Sequence, residues 1–285
     1  MLKNTKPAVI PGVPLLFKQM QDNILKKAGN RRSLLAALAK LNLHLRKINI
    51  NLAGLLFRSI HVEFGGQLRF MTSAAVALPI SISEFFYGVG YPIFEGYGLT
   101  ETSPVIAVNC YDNNIFGSVG KIMENQEVCI FQPDENGVGE IIVKGDNVTK
   151  SYYKDEKLNA LYFDDKGFYH TEDLGYVDNK GYLWIVGRLK NIIVRLNGKR
   201  IYPEEMEASL CKFDEINECI IYEKNEKITA KVYSIYDCTA VQKAIDEFNR
   251  LLPNYKKIAE VEITDKPFEK ISNIKVRRSG ANEDS

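Results

Sequence analysis

Residues Phe94–Pro104 read Phe-Glu-Gly-Tyr-Gly-Leu-Thr-Glu-Thr-Ser-Pro. Two glycines flank an aromatic residue and a Thr-Glu pair follows, directly after a strand that the sequence predicts around Tyr91–Glu95. Glycines allow a backbone to approach a ligand closely, and a carboxylate oxygen suits a hard cation. The segment therefore predicts a ligand-binding loop, with an ordinary glycine-rich turn carrying an exposed Thr-Glu pair as the alternative.

The residues before this loop predict alternating helices and strands. Apolar residues recur at spacings of three and four over 13–27 and 33–46, which predicts two amphipathic helices, with Ser33 as the N-cap of the second. A buried strand is expected over Gln67–Ser73 and a short helix near Ile80–Tyr87. This alternation is typical of part of an α/β layer.

Two further regions follow the loop. Beyond Val108, short apolar runs alternate with turn signals, which predicts a small β-barrel or sandwich. After Gly187, Pro203 and the acidic residues behind it predict a helix start. The later elements expected are two strands and a helix, at Glu218–Glu223, Lys227–Tyr236 and Ala240–Leu252. The predicted domain boundaries are 1–108, 109–187 and 188–285.

Four other segments accompany Phe94–Pro104. They are Phe64–Pro79 (Phe-Gly-Gly-Gln-Leu-Arg-Phe-Met-Thr-Ser-Ala-Ala-Val-Ala-Leu-Pro), His170–Gly175 (His-Thr-Glu-Asp-Leu-Gly), Gly187–Glu207 (with Gly-Arg-Leu-Lys and Tyr-Pro-Glu-Glu) and Phe268–Arg278 (Phe-Glu-Lys-Ile-Ser-Asn-Ile-Lys-Val-Arg-Arg). In order and spacing, the five segments together resemble the motifs of the adenylate-forming enzymes, and in particular the long-chain fatty acyl-CoA synthetases. The resemblance implies the end of a large α/β AMP-binding domain, a β-barrel subdomain and a small mobile C-terminal α+β domain.

The resemblance also implies which residues contact the nucleotide. Tyr97, beside Gly98, is expected to lie against the adenine of ATP or AMP. The Thr100 hydroxyl is expected to bond the α-phosphate, and Glu101 is expected to hold Mg²⁺, which prefers carboxylate oxygens.

Asp173 and Arg188 are expected to bind the ribose. A carboxylate is a natural acceptor for the two hydroxyls of a diol. Ala74 and Ala75 occupy the place where the family has two glycines that form a wall behind the adenine.

The remaining implied roles concern catalysis and domain motion. Lys275 matches the lysine that is catalytic for adenylation, because an ammonium group can bridge the acyl carboxylate and the α-phosphate. Lys190 occupies the hinge position between the large and small domains. Asn197 and Gly198 belong to the loop that enters the active site for thioester formation.

Three departures from the family pattern matter. Glu172 and Ile274 stand where glycine is usual, and the run Ala74–Val76 replaces two glycines and an alanine. These three departures favour one alternative function, a degenerate non-catalytic interaction module of the same fold. His170, which is not one of them, is expected to be structural.

The implied activity of the full-length protein is ATP-dependent ligation of a fatty acid to CoA. A carboxylate and ATP give acyl-AMP and pyrophosphate, and a thiol then attacks the acyl-AMP. A carrier-protein phosphopantetheine is the alternative acceptor, because both thiols share the pantetheine arm. The acyl chain length and the oligomeric state are left open.

A phosphate-gripping loop of the type Thr-Ser-Gly-Thr-Thr-Gly-x-Pro-Lys does not occur in the sequence. The family carries this loop upstream of the segments matched here. We therefore expect the chain to be a fragment, the C-terminal half of the enzyme, and to be inactive alone.

Charge and cysteine usage bear on the partners and the compartment. The net charge of +1 gives no general attraction to nucleic acid, although residues 1–60 carry a net charge of +10. The basic residues of 18–47 either contact an anionic membrane or form the solvated faces of two packed helices. Five cysteines without Cys-x-x-Cys spacing favour thiols, no zinc site and a cytoplasmic protein.

Overall fold

Helices dominate the first part of the chain and strands the second. The computed structural model describes residues 2–195, 198–271 and 275–276. The α-helices in these ranges are α1 (Leu2–Thr5), α2 (Pro14–Ala28), α3 (Arg32–Arg46), α4 (Ala53–Leu56), α5 (Arg58–Glu63), α6 (Ile80–Val89), α7 (Glu156–Tyr162), α8 (Pro203–Leu210) and α9 (Cys238–Arg250). The strands are β1 (Val9–Gly12), β2 (Phe70–Ser73), β3 (Ile93–Tyr97), β4 (Ala107–Val108), β5 (Lys121–Ile122), β6 (Gln126–Phe131), β7 (Gly139–Gly145), β8 (Tyr169–Val177), β9 (Leu183–Arg188), β10 (Ile193–Val194), β11 (Arg200–Ile201), β12 (Glu218–Lys224), β13 (Lys227–Tyr233), β14 (Glu260–Thr264), β15 (Lys270–Ile271) and β16 (Lys275–Val276).

The described residues divide into two compact units. The first unit comprises Met1–Cys129, Ile142–Tyr169 and Val177–Trp184, and the second comprises Ile130–Ile141, His170–Tyr176 and Ile185–Ser285. The three domain boundaries drawn from the sequence stay predictions. None of the described helices is long and apolar enough to cross a membrane.

The first unit contains a five-stranded sheet in the order β1-β2-β3-β4-β5. Strands β1, β2 and β3 are parallel, and β4 and β5 are added antiparallel. Helices α2, α3 and α6 pack in this unit around fully buried side chains such as Phe17 and Phe86, whose rings meet edge to face at 6.3 Å. The predicted α/β layer is therefore confirmed.

The start of α3 differs from the prediction. The residue before its first turn is Arg31, and no side chain caps the helix. Ser33 lies inside the helix, because the 3-10 turn Gly29–Arg31 continues directly into it. The predicted Ser33 cap is wrong.

Strands β6 to β9 form an open four-stranded sheet in the order β6-β7-β8-β9. The described ranges contain several sheets and no closed barrel, which corrects the β-barrel part of the expected fold. The outer edge of β9 pairs at its start with the segment that precedes β5. The Val119 N–H donates to the Leu183 carbonyl at 3.0 Å, and the Leu183 N–H donates to the Gly120 carbonyl at 2.9 Å.

The second unit contains the three-stranded sheet β12-β13-β14, antiparallel then parallel, together with α8 and α9. Its core is built from fully buried residues such as Ile221, Val232 and Val241. The Asp237 carboxylate caps α9 by accepting from the Ala240 N–H at 2.9 Å, which satisfies one otherwise unpaired donor. The predicted α+β character of this region is confirmed.

Candidate functional site

The loop after β3 holds four of the predicted site residues. Tyr97 ends β3, and Thr100 and Glu101 lie in the 3-10 turn Thr100–Thr102 that follows. Thr100 is exposed, and the other three residues, Tyr97, Gly98 and Glu101, are half-buried. Ligands of open α/β sheets bind outside the carboxyl ends of the parallel strands, and this loop leaves that end of β3.

The fully buried Thr102 shapes this loop. Its Oγ1 accepts from the Leu99 N–H at 3.0 Å and contacts the carbonyls of Leu99 and Pro104 at 3.0 Å. A Cβ on Gly98 would overlap the Pro104 carbonyl. Gly98 is therefore required by the close approach of the loop to itself.

Glu101 is held from two sides within the first unit. Its Oε1 accepts from the Tyr152 hydroxyl at 3.0 Å, and its carbonyl accepts from the Thr149 N–H at 2.7 Å. The Tyr152 hydroxyl also lies 3.0 Å from that of Tyr169, and burial raises the pKa of both phenols. Both tyrosines therefore stay neutral donors, and they fix the orientation of the carboxylate.

A cation at this point would rely on Glu101. No cluster of three or more acidic, histidine or cysteine side chains suited to a metal occurs in the described ranges. Mg²⁺ is commonly bound by one or two carboxylates together with substrate phosphates and water. A single, oriented carboxylate fits that mode of binding.

The Ala74–Ala75 segment follows the neighbouring parallel strand. Ser73 at the end of β2 pairs in register with Glu95 of β3, so both loops leave the same edge of the sheet. Ala75 has a φ of 76°. This left-handed conformation favours glycine, so the alanine that replaces the family's glycine here strains the backbone.

Glu95 is a buried carboxyl group directly before the Gly-Tyr-Gly run. One oxygen accepts from the Leu78 N–H at 3.1 Å, and the Gly117 N–H also donates to this side chain. Burial raises the pKa of Glu95 from 4.5 to about 7, although these two hydrogen bonds act in the opposite direction. Glu95 ties the segment after β2 to β3.

In the second unit, the two predicted ribose residues are in contact. The Arg188 Nε lies 2.8 Å from Asp173 Oδ1. Asp173 is buried on β8, and its N–H donates to the Thr171 Oγ1 at 3.1 Å. The guanidinium therefore fixes the orientation of the carboxylate.

Glu172 has a backbone conformation that suits the glycine usual at this position of the family pattern. Its φ is 58°, the left-handed region that glycine occupies without strain. Its N–H donates at 3.0 Å to Glu140 Oε1, and Glu140 Oε2 lies 2.8 Å from His170 Nδ1. His170 therefore has a structural contact.

The other predicted residues are placed as follows. Lys190 lies exposed in the 3-10 turn Leu189–Asn191. Gly198, with a φ of 76°, lines a cavity of about 790 Å³ in the second unit, and Asn197 lies outside the described residues. Lys275 pairs with Ile271 through the backbone of β16, and its side chain is not among those described.

The part of the chain that contains these loops is similar to a known protein family. Residues 1–153, more than half of the chain, match the AMP-binding enzyme family. The chain belongs to this family. Its loops after β2 and β3, with Thr100 and Glu101, lie within the matched residues.

Curated relatives of this AMP-binding chain include long-chain ligases. It is 30% identical over 236 residues to the long-chain-fatty-acid–CoA ligase FadD15 of Mycobacterium bovis, covering 78% of this chain and 38% of the relative. It is 32% identical over 235 residues to the peroxisomal long chain acyl-CoA synthetase 6 of Arabidopsis thaliana, covering 76% and 34%.

A solved structure shares the fold. The o-succinylbenzoate CoA synthetase of Bacillus subtilis, in complex with its acyl-adenylate intermediate, has a TM-score of 0.66 and 27% identity. The alignment covers 80% of this chain and 49% of that structure. The AMP-binding chain therefore spans about a third to a half of the length of its relatives.

Sequence reasoning did not identify Tyr152, Tyr169, Glu140 or Glu95 as supports of the site. Tyr152 acts on Glu101 across 51 positions and Glu140 on His170 across 30, so local spacing holds no signal for either. Glu95 offered one signal, a carboxylate within an otherwise apolar strand.

Proposed function

We propose that the full-length protein is an ATP-dependent fatty acyl-CoA synthetase. The observation that carries the proposal is the position of Thr100 and Glu101 on the turn after β3, within the residues that match the AMP-binding family. The names of the Mycobacterium bovis and Arabidopsis relatives favour a long-chain fatty acid as the substrate.

In the proposed first step, a carboxylate oxygen of the fatty acid attacks the α-phosphorus of ATP. The new oxygen–phosphorus bond forms as the bond to pyrophosphate breaks, giving acyl-AMP. The Thr100 hydroxyl donates a hydrogen bond to the α-phosphate, and Tyr97 lies against the adenine. Ala74 and Ala75 form the wall behind the base. Mg²⁺ held by Glu101 would offset the phosphate charge.

Asp173 accepts the ribose hydroxyls while Arg188 holds the carboxylate at 2.8 Å. Lys275 is assigned from the sequence as the catalytic cation that bridges the fatty carboxylate and the α-phosphate. In the second step, a thiol sulfur attacks the acyl carbon and AMP leaves. Lys190 is the proposed hinge and Asn197–Gly198 the loop used for this step.

The test is a coupled pyrophosphate assay of the full-length protein with ATP, Mg²⁺, CoA and either decanoate or palmitate. Lys275→Ala is expected to abolish adenylation while preformed acyl-AMP still reacts with the thiol. Lys266→Ala, an exposed lysine on the same unit, is the matched control and should keep full activity. Acyl-AMP formation at the normal rate by Lys275→Ala would refute the role of this lysine.

We expect no turnover from the 285-residue chain by itself, because it spans less than two fifths of the Mycobacterium bovis and Arabidopsis relatives. The same assay tests this expectation. Turnover above background would contradict it.

A second candidate function is a non-catalytic module of the same fold. The left-handed φ angles of Ala75 and Glu172, at positions where the family resemblance has glycine, favour this candidate. Full-length protein that folds but shows no AMP binding would support it. Comparing CoA with a carrier-protein phosphopantetheine distinguishes the two acceptors within the enzyme hypothesis.

A further inference from the structure

Two cysteines of the second unit lie in contact. The Sγ atoms of Cys211 and Cys219 are 3.6 Å apart. Cys211 is the C-cap residue of α8 and is exposed, and Cys219 lies in β12 with 7% of its surface exposed. The pair thus combines a residue at the protein surface with one that the core shields.

The two sulfur atoms lie within reach of a disulfide bond. An S–S bond is about 2.05 Å long, so the sulfur atoms need to approach by about 1.5 Å. Residue Cys211 ends its helix, and a terminal residue can shift by this distance more easily than an interior one. The packing of α8 on β12 is already fixed by Glu207, whose Oε1 accepts from the Ile221 N–H at 2.7 Å.

We propose that Cys211 and Cys219 form a reversible thiol–disulfide modification site that reacts with low-molecular-weight disulfides of the glutathione type. The bond would join the end of α8 to β12, and the residues between the two cysteines would form a covalently closed loop. Nothing in the proposed acyl-CoA synthetase chemistry uses either thiol.

The reaction balances in two exchanges. The Cys211 thiolate attacks one sulfur of the small disulfide, forming a mixed disulfide and releasing one small thiolate. Cys219 then loses its proton and attacks the Cys211 sulfur, which releases the second small thiolate. Two cysteine thiols are oxidised by two electrons, and one small disulfide is reduced to two thiols.

The surroundings favour Cys211 as the first nucleophile. The hydrogen bond between the two cysteines lowers the pKa of the Cys211 thiol, whereas desolvation and the charges of Glu207 and Glu218 act to raise it. A lower pKa gives more thiolate, the reactive form, and Cys211 is the exposed member of the pair.

Tryptic peptide mapping tests the proposal on the folded chain. The reduced chain is incubated with glutathione disulfide, the remaining thiols are alkylated, and the digest is analysed by mass spectrometry. Trypsin cleaves after Arg200, Lys212 and Lys224, so the two cysteines fall in separate peptides, 201–212 and 213–224. We expect these peptides to be recovered as one linked species that dithiothreitol separates.

Variants distinguish this pair from general thiol oxidation. In Cys219→Ser, Cys211 should be trapped as the mixed disulfide with glutathione, and in Cys211→Ser the linked species should be lost. Cys238→Ser, which removes another exposed cysteine, should leave the linked species unchanged. Recovery of peptides 201–212 and 213–224 only as separate alkylated or glutathione-bound species from the unmodified chain would overturn the proposal.

Discussion

Replacing Glu95 with Gln should remove the contribution that titration of this carboxyl group makes to the pH dependence of the free energy of unfolding. Residue Glu95 is 7% exposed, and burial raises its pKa from 4.5 to about 7. Because the folded state holds the proton more tightly than the unfolded state, the protonated carboxyl stabilises the fold below about pH 4.5. That stabilisation is lost as the pH rises through about 7.

The magnitude follows from the two pKa values. Their difference of about 2.5, at about 1.4 kcal/mol for each unit, corresponds to about 3 kcal/mol. The free energy of unfolding of the unmodified chain should therefore fall by about 3 kcal/mol more than that of Glu95→Gln between about pH 4 and pH 8. Absolute stabilities need not match, since the amide changes the hydrogen bonds from Leu78 and Gly117.

Urea unfolding followed by tryptophan fluorescence is the assay. The single tryptophan, Trp184, belongs to the first unit, as Glu95 does. Glu84→Gln, an exposed carboxylate on α6, is the control and should keep the pH dependence of the unmodified chain. Equal pH dependence in Glu95→Gln and the unmodified chain would refute the reasoning.

Three substitutions test local packing through the same unfolding measurement. Ala75→Gly should raise the free energy of unfolding by about 1 kcal/mol because it relieves a left-handed φ of 76°, and Ala74→Gly should not raise it. Gly98→Ala should lower it by about 2 kcal/mol or more through overlap with a backbone carbonyl, whereas Gly54→Ala, whose Cβ meets open space, should not. Phe17→Ala should cost about 3–5 kcal/mol, since that ring is fully buried; a loss below about 1 kcal/mol would contradict the packing described.

Periodicity was sufficient to predict the long amphipathic helices. The expected helices at 13–27 and 33–46 correspond to Pro14–Ala28 and Arg32–Arg46. Strand β8 is absent from the elements predicted from the sequence, because polar residues interrupt its apolar pattern. Their partners are distant: the Thr171 Oγ1 donates to the Ile141 carbonyl at 2.7 Å, across 30 positions.

The site could be predicted in part, and the limit is again long-range contact. Asp173 and Arg188 were both singled out from their motifs, but their contact depends on the pairing of β8 with β9. The barrel expectation came from strand spacing alone. Spacing indicates short strands without indicating whether the edge strand closes the sheet or pairs with another segment, as Leu183 does with Gly120.

The central claim is that the full-length protein activates a fatty acid as its adenylate. It is tested most directly by incubating that protein with ATP, Mg²⁺ and palmitate in the absence of any thiol, and by identifying the products by mass spectrometry. We predict palmitoyl-AMP and pyrophosphate. Folded protein that binds AMP but leaves ATP unconsumed, or that releases inorganic phosphate with ADP, would contradict the claim.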